Sequence, residues 1–354
     1  MPAATPRAIE HLPQASLLPL YSLLDDVALI EACDGTTPLP ATGHRVSDAG
    51  AALVLAVSMA HDRYAATIAR RCLSFLDAMH LGDGRFRPND AAPDDHDGDG
   101  DDESCGWAIE GIGTATDAPW PDVSRDARRL FAATTDFETD DPRARAHALL
   151  GAVAAAAASK PVPGARTMTA RMLERLTGAV DPRRAAVWPW PEARLHPGSG
   201  AIAEALVAGA DAIGGADDLA AALASLRWFA DIETSPGHLS SSPTGGRGPE
   251  NLGAGFDQRP LAAAALAAAA GRALRLTGDR SWERPVVLAA RWFAGANDAG
   301  VTMFDRDTGR AYDALRHDGA DGCQGAEAAV AFATVLRELQ RLRYVPPRPA
   351  ASPG

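Results

Sequence analysis

Four carboxylates are placed where an acid–base catalyst would need them. Glu103, Glu192, Asp257 and Glu327 each lie in, or directly after, a long connection and close to the start of a predicted helix. Paired carboxylates protonate a leaving oxygen and activate a nucleophile, provided burial or neighbouring charge sets their pKa values apart. Each has an ordinary reading beside the catalytic one. Glu327 is also an unremarkable first-turn glutamate, and Asp257 is also a cap for a helix opening at Pro260. Asp48 opens the second predicted helix, where an acid alone stabilises the helix dipole by about 0.3–1 kcal/mol.

A second group of residues suits recognition of a polar ligand with apolar faces. The stretch from Trp292 to Glu327 (WFAGANDAGVTMFDRDTGRAYDALRHDGADGCQGAE) has no helical periodicity over 296–323. Ordinary connections run to about 4–6 residues, so such a loop is functional, disordered, or packing over the end of a helical domain. Its mixture of Trp292, Phe293, Phe304 and Tyr312 with Asn297, Asp298, Asp305, Asp313 and Gln324 argues against disorder. Trp188 and Trp190, in the Pro-rich WPWPEARLHPGSG segment, are either core plugs or surfaces for the CH faces of a sugar. Gln258, beside Asp257, is a candidate for reading hydroxyls.

The acidic run DDHDGDGDDESCGW, Asp94 to Trp107, resembles two motifs and completes neither convincingly. Asp95, Asp97 and Asp99 have the spacing of a calcium loop, but Gly106 stands where the loop's final glutamate belongs. Asp99-Gly100-Asp101-Asp102 spells the DxDD of proton-initiated cyclases, a cheap match inside a solvated acidic stretch. No P-loop, GxGxxG after a strand, GxSxG or HExxH occurs, and the nine histidines show no ligand spacing. The expectation is no metal and no cofactor, with carboxylates as the reagents.

Composition narrows the partners. The net charge is −12, and Lys160 is the only lysine. A nucleic-acid partner needs a basic footprint, which is missing. No apolar run suits a membrane span, no signal peptide is recognisable, and Cys33, Cys72, Cys105 and Cys323 show no CxxC. The expectation is a cytoplasmic protein with reduced thiols.

The elements that must position these residues are helices. Periodicity and caps predict twelve, near 14–30, 48–60, 63–80, 104–117, 121–135, 141–158, 165–179, 199–213, 216–231, 259–277, 282–295 and 324–343. The long connections, 31–47, 81–103, 180–198, 232–258 and 296–323, all run from an odd helix to an even one. In an up-down array alternate connections share one end. The prediction is an all-α (α/α)6 toroid, six hairpins around a central funnel, with the long loops on one rim. It occupies residues 1–343 as one domain, with a Pro-rich tail at 344–354 and little sheet beyond short hairpins.

Several stretches resemble a family of bacterial helical proteins associated with glycosyltransferases and similar to six-hairpin glycosidases. WFAGAND, FDRDTGRAYDAL and CQGAEAAVAF are similar to the family's WFxGxND, YDxxTGxxxDGL and NQGAES patterns; they carry Trp292, Asn297, Asp298, Asp305, Asp313, Gln324 and Glu327. FDQRP resembles its DQxP, WPWPE its WPWFED, and DDESCGWAIEGIG its SEDxxGRxLWALG. Asp48 falls on the second acid of a TDDNAR motif, whose first acid is Ser47 here and whose arginine is Ala51. Trp107, Ala193, Cys323 and Ala328 are further departures.

The resemblance implies a carbohydrate-active protein. The leading expectation is cleavage or rearrangement of a glycosidic linkage by two of Glu327, Asp257, Glu192 and Glu103. The supporting residues would be Asp48, Trp188, Trp190, Gln258, Trp292, Asn297, Asp298, Asp305, Asp313 and Gln324. Two alternatives stay open: a non-catalytic glycan-binding or scaffold partner of a glycosyltransferase, and a cyclase or isomerase acting on an apolar substrate.

Overall fold

The computed structural model describes residues 11–91 and 101–343. The calcium-like positions Asp95, Asp97 and Asp99, the first half of the DxDD match and the Pro-rich tail lie outside the described residues. Among those described are twelve α-helices: α1 (Leu18–Tyr21), α2 (Val46–Ser58), α3 (Ala65–Met79), α4 (Asp102–Ala115), α5 (Pro121–Ala132), α6 (Pro142–Ala157), α7 (Ala165–Thr177), α8 (Gly200–Ile213), α9 (Ala216–Glu233), α10 (Pro260–Thr277), α11 (Glu283–Phe293) and α12 (Ala326–Leu342). Two antiparallel hairpins decorate the loops, β1 (Cys33–Asp34) with β2 (Thr37–Pro38) and β3 (Leu315–Arg316) with β4 (Gly319–Ala320).

The even helices form the inner ring. Each packs on the next, α2–α4–α6–α8–α10–α12, and α12 returns to α2. The odd helices α3, α5, α7, α9 and α11 lie outside; α3, α7, α9 and α11 pack on both even neighbours, and α5 packs on α4 and α3. This is an (α/α)6 toroid. The five long connections enter α2, α4, α8, α10 and α12 at their N-termini, and a shorter one enters α6, so the inner helices begin on one rim.

The first predicted helix is corrected. It spans one turn, Leu18–Tyr21, rather than 14–30. The Asp25 carboxylate accepts hydrogen bonds from the backbone N–H groups of Val27 and Ala28, a local turn that competes with helix continuation. The chain then runs as bridged loop to His44, whose imidazole lies between Asp90 (2.6 Å) and Asp25 (3.0 Å). Burial alone would lower the His44 pKa, but the two carboxylates outweigh it and raise it.

Close approach of inner helices depends on glycine. A Cβ on Gly50 of α2 would strike the Trp107 carbonyl of α4, and one on Gly113 of α4 would strike the Gly151 carbonyl of α6. In an exposed helix Gly→Ala stabilises by about 1 kcal/mol. Here Gly113→Ala reverses that sign: overpacking costs about 1–3 kcal/mol, read as a lower urea midpoint with an unchanged slope.

Candidate active site

The funnel has an upper and a lower chamber. The upper, about 280 Å³, is lined by Arg45, Asp101, Glu103, Arg143, His196, Thr244, Arg259 and Glu327, which gather at the N-terminal rim. The lower, about 110 Å³, descends between the helices and is lined by aliphatic side chains interspersed with Asp48, Glu110, His147, Glu204, Thr334 and Arg337. Its walls follow helical spacing: Asp48, Ala51 and Val54 on α2; Leu261, Ala264 or Ala265, and Ala268 on α10; Glu327, Val330 or Ala331, Thr334 and Arg337 on α12. From Glu327 to Arg337 the wall descends about 15 Å at 1.5 Å per residue. Arg337 closes the bottom, donating to Ser58 Oγ and to Glu338. Ser47, Trp107, Gly198, Leu261 and Glu327 line both chambers and mark the junction.

Two inner-helix carboxyls open onto this junction in contrasting environments. Asp48, in the first turn of α2, is 4% exposed and has no side-chain hydrogen bond among the described residues. Burial pushes its pKa up, the charge of Glu327 pushes it further, and Arg45 only partly opposes, so it rises from 3.8 to about 8. Glu327, in the first turn of α12, accepts a hydrogen bond from Arg259 Nη2 at 2.7 Å. Burial raises its pKa, against the pull of Arg259 and Arg45. Burial thus raises both carboxyls, and of the two only Glu327 has an arginine hydrogen-bonded to it that favours the charged form. Glu103, at the start of α4, faces the upper chamber and pairs with Arg143 Nη1 at 3.0 Å.

The other expected residues are placed elsewhere. Glu192 lies behind the funnel wall. It accepts from Trp190 Nε1 (3.1 Å) and Ser199 Oγ, and meets Arg143 Nε at 3.3 Å; burial raises its pKa against these partners. Its role is to hold Arg143 and the α8 entry. Asp257 is exposed on the rim loop and does not line either chamber; its backbone carbonyl accepts from the Thr244 N–H. Trp188 and Trp190 are core residues rather than sugar platforms. They are 2% and 0% exposed and pack on Trp228 and Phe229. Trp292 is fully buried, donating Nε1–H to Gln258 Oε1 at 3.1 Å.

The long C-terminal loop is held together by its own polar groups. Gln258 Nε2 donates to Asp298, which also meets His238 Nε2 at 2.8 Å. Asn297 donates to the Trp292 and Val301 carbonyls. Gln324 accepts from Thr308 and donates to Asp305. Asp313 accepts from the Gly325 N–H at 2.7 Å, which fixes the start of α12 and so presents Glu327. Burial raises the Asp313 pKa against that hydrogen bond. These amides and acids are satisfied within the scaffold, so they position Glu327 rather than line the funnel.

Several lining residues were not anticipated. Arg259 stands two positions after Asp257 and takes the funnel position expected of that acid. Trp107, noted only as a departure from a family arginine, stacks on His147 with ring centroids 3.7 Å apart. His147 Nδ1 is 2.6 Å from Glu110 Oε2, and its Nε2 is buried without a partner among the described residues. Glu110 and His147 sit on α4 and α6, so no local sequence pattern joins them. Glu204 lines the lower chamber and pairs with Arg272 at 2.9 Å. Among the described residues no group of three or more His, Cys, Asp or Glu could hold a metal ion, and no helix is long and apolar enough to cross a membrane.

No protein-family model and no curated protein matches the chain. Solved structures do. A D-mannose isomerase aligns at TM-score 0.64 with 14% identity, over 95% of this chain and 100% of that one. A sugar epimerase from a ruminal bacterium aligns at 0.63 with 11% identity, over 95% and 97%. A GH76 alpha-mannanase from Bacteroides thetaiotaomicron aligns at 0.58 with 9% identity, over 84% and 86%. What the chain shares with all three is the toroid.

Proposed function

We propose that the chain is a carbohydrate-active enzyme that cleaves a glycosidic linkage at the funnel junction. Asp48 is the general acid: it gives its proton to the leaving oxygen. Glu327 acts on the anomeric carbon, directly or by taking a proton from the attacking water, and water supplies the hydroxyl that replaces the leaving group. The observation that carries the reading is the contrast between the two carboxyls. One is buried, unpartnered and pushed up to about 8, while the other, also raised by burial, is hydrogen-bonded by Arg259 at 2.7 Å. The names of the structural neighbours, an isomerase, an epimerase and a mannanase, support sugars as the substrate class.

The test is a panel of aryl and alkyl glycosides assayed with the wild type and Glu327→Gln. Loss of an acid–base group costs about 10²–10⁴ in kcat. Wild-type turnover by Glu327→Gln would overturn the assignment.

The Glu110–His147 pair favours a second reading, proton transfer between adjacent sugar carbons as in isomerisation or epimerisation. With Nδ1–H donated to Glu110, Nε2 carries the free lone pair of a base. The same panel extended to reducing sugars in D2O reads it, because deuterium would enter at C2. Sugar binding by calorimetry with no turnover in either arm would favour a binding module serving a glycosyltransferase.

A further inference from the structure

The lower chamber holds an acceptor that the fold itself does not use. His147 lines that chamber, is 2% exposed, and commits Nδ1 to Glu110 Oε2 at 2.6 Å. With that N–H donated, Nε2 carries a lone pair, and it is buried without a partner among the described residues. Buried polar atoms ordinarily have one. The imidazole is also fixed in place, because Trp107 stacks on its face with ring centroids 3.7 Å apart.

The inner helices set the depth of this acceptor below the junction. His147 stands five residues beyond the first residue of α6, Glu204 four beyond that of α8, and Glu327 one beyond that of α12. At 1.5 Å per residue, His147 and Glu204 lie about 4.5–6 Å deeper than Glu327. That is the reach from the anomeric carbon of a pyranose to the hydroxyls on the far side of its ring. Below them the funnel ends. Arg337 forms the floor, tied to Glu338 at 2.7 Å, and Glu338 also binds Arg275 at 2.5 Å and Arg341 at 2.9 Å. A cavity of about 150 Å³ holds one benzene, so a chamber of about 110 Å³ takes the far part of one ring and no second ring.

Resting on the cleavage reading above, we infer that the lower chamber is a blind subsite for one terminal sugar, which donates a hydroxyl to His147 Nε2. The rest of the glycan rises through the upper chamber, past Arg143, Arg259, Thr244 and His196. A chain cannot thread a closed floor, so cleavage removes one monosaccharide at a time from the non-reducing end. The glycosidic C–O bond breaks, the leaving oxygen takes the Asp48 proton and departs with the shortened chain, and water completes the released sugar. His147 sets specificity, because a sugar without that hydroxyl leaves Nε2 unpaired and dry.

The experiment is calorimetry of Glu327→Gln with methyl glucosides and mannosides and their 2-, 3-, 4- and 6-deoxy analogues. It is repeated on a Glu327→Gln/His147→Phe double variant, which keeps a ring against Trp107 and removes the acceptor. One of the 3-, 4- and 6-deoxy analogues is expected to lose about 10–100-fold in affinity on Glu327→Gln and less than about threefold on the double variant. If the double variant does not fold, the deoxy series on Glu327→Gln carries the test. Equal affinity across the series, or a penalty that survives His147→Phe unchanged, would overturn the inference. In parallel the wild type is given gluco- and manno-oligosaccharides labelled at the reducing end. Shortening by one sugar at a time is expected, and internal cleavage would overturn the blind subsite. Discrimination through His147 without turnover would remove the cleavage reading and keep the subsite. Turnover without discrimination would do the reverse. If no glycoside is bound or cleaved, both fall.

Discussion

Asp48→Asn is expected to lower turnover at pH 7 by about 10²–10⁴ while making the protein more stable. The two effects have one cause. The folded chain raises this carboxyl from 3.8 to about 8, first by burial and then through the charge of Glu327. The folded state therefore keeps a proton that the unfolded chain releases. Its contribution to stability is complete below about 3.8, declines as pH rises, and is lost once pH passes about 8. Asparagine has no proton to lose, so the variant's melting temperature should exceed the wild type's by a margin that widens towards pH 8 and then levels. Catalysis has the same alkaline limit. A general acid must be protonated, so wild-type kcat/KM should fall as pH rises through about 8. On the acid side it should fall as Glu327 is protonated, above the usual glutamate range because burial raises that group. The residual activity of Asp48→Asn should lack the alkaline limb. A wild-type profile flat between pH 7 and 9.5 would remove Asp48 from the mechanism.

Glu233→Ala is expected to destabilise the fold by about 3–5 kcal/mol, measured by urea unfolding. Glu233 and Arg247 are 1% and 2% exposed and meet at 3.1 Å. The carboxylate also accepts from the Ser242 N–H and hydroxyl, and Arg247 donates to the Ser240 carbonyl. Truncating the acid leaves a buried guanidinium without its counter-charge. The damage reaches the funnel, because this pair anchors the 234–259 connection, which carries Thr244 and Arg259 into the upper chamber. Turnover should fall along with stability, and replacing both partners by leucine should recover much of the stability.

The toroid was legible because periodicity and connection length report the same geometry twice. Leu336 and Leu339 with Arg337 and Arg341 mark α12, and the long odd-to-even links place the rim before any contact is known. The first helix was misjudged because Leu17, Leu20 and Leu23 have helical spacing although Asp25 turns the chain back. Asp48, Glu103 and Glu327 were legible as site candidates, since a carboxyl in the first turn of an inner helix is carried to the rim by the fold itself. The tryptophans were not, because an indole that donates one hydrogen bond suits a core as well as a sugar. Trp190 and Trp292 spend that donor on Glu192 and Gln258. Glu110 with His147, and Arg259 with Glu327, become pairs only when separate helices are brought side by side.

The ring's closure has a consequence for when the proposed carboxyl pair comes together. The proposed acid belongs to α2 and its partner carboxylate to α12, the first and last members of the inner ring. Besides the packing of α12 on α2, hydrogen bonds join that seam, among them the Ala326 N–H to the Glu31 carbonyl at 3.0 Å, Arg310 to the Thr36 carbonyl, and Arg337 to Ser58. A ribosome makes the two carboxyls nearly three hundred residues apart. They meet only when the final helix docks against the earliest, so under the proposed mechanism a nascent or truncated chain would carry half of the reagent pair and is expected to be silent. On that reading, assembly of the circle is its own licence to react.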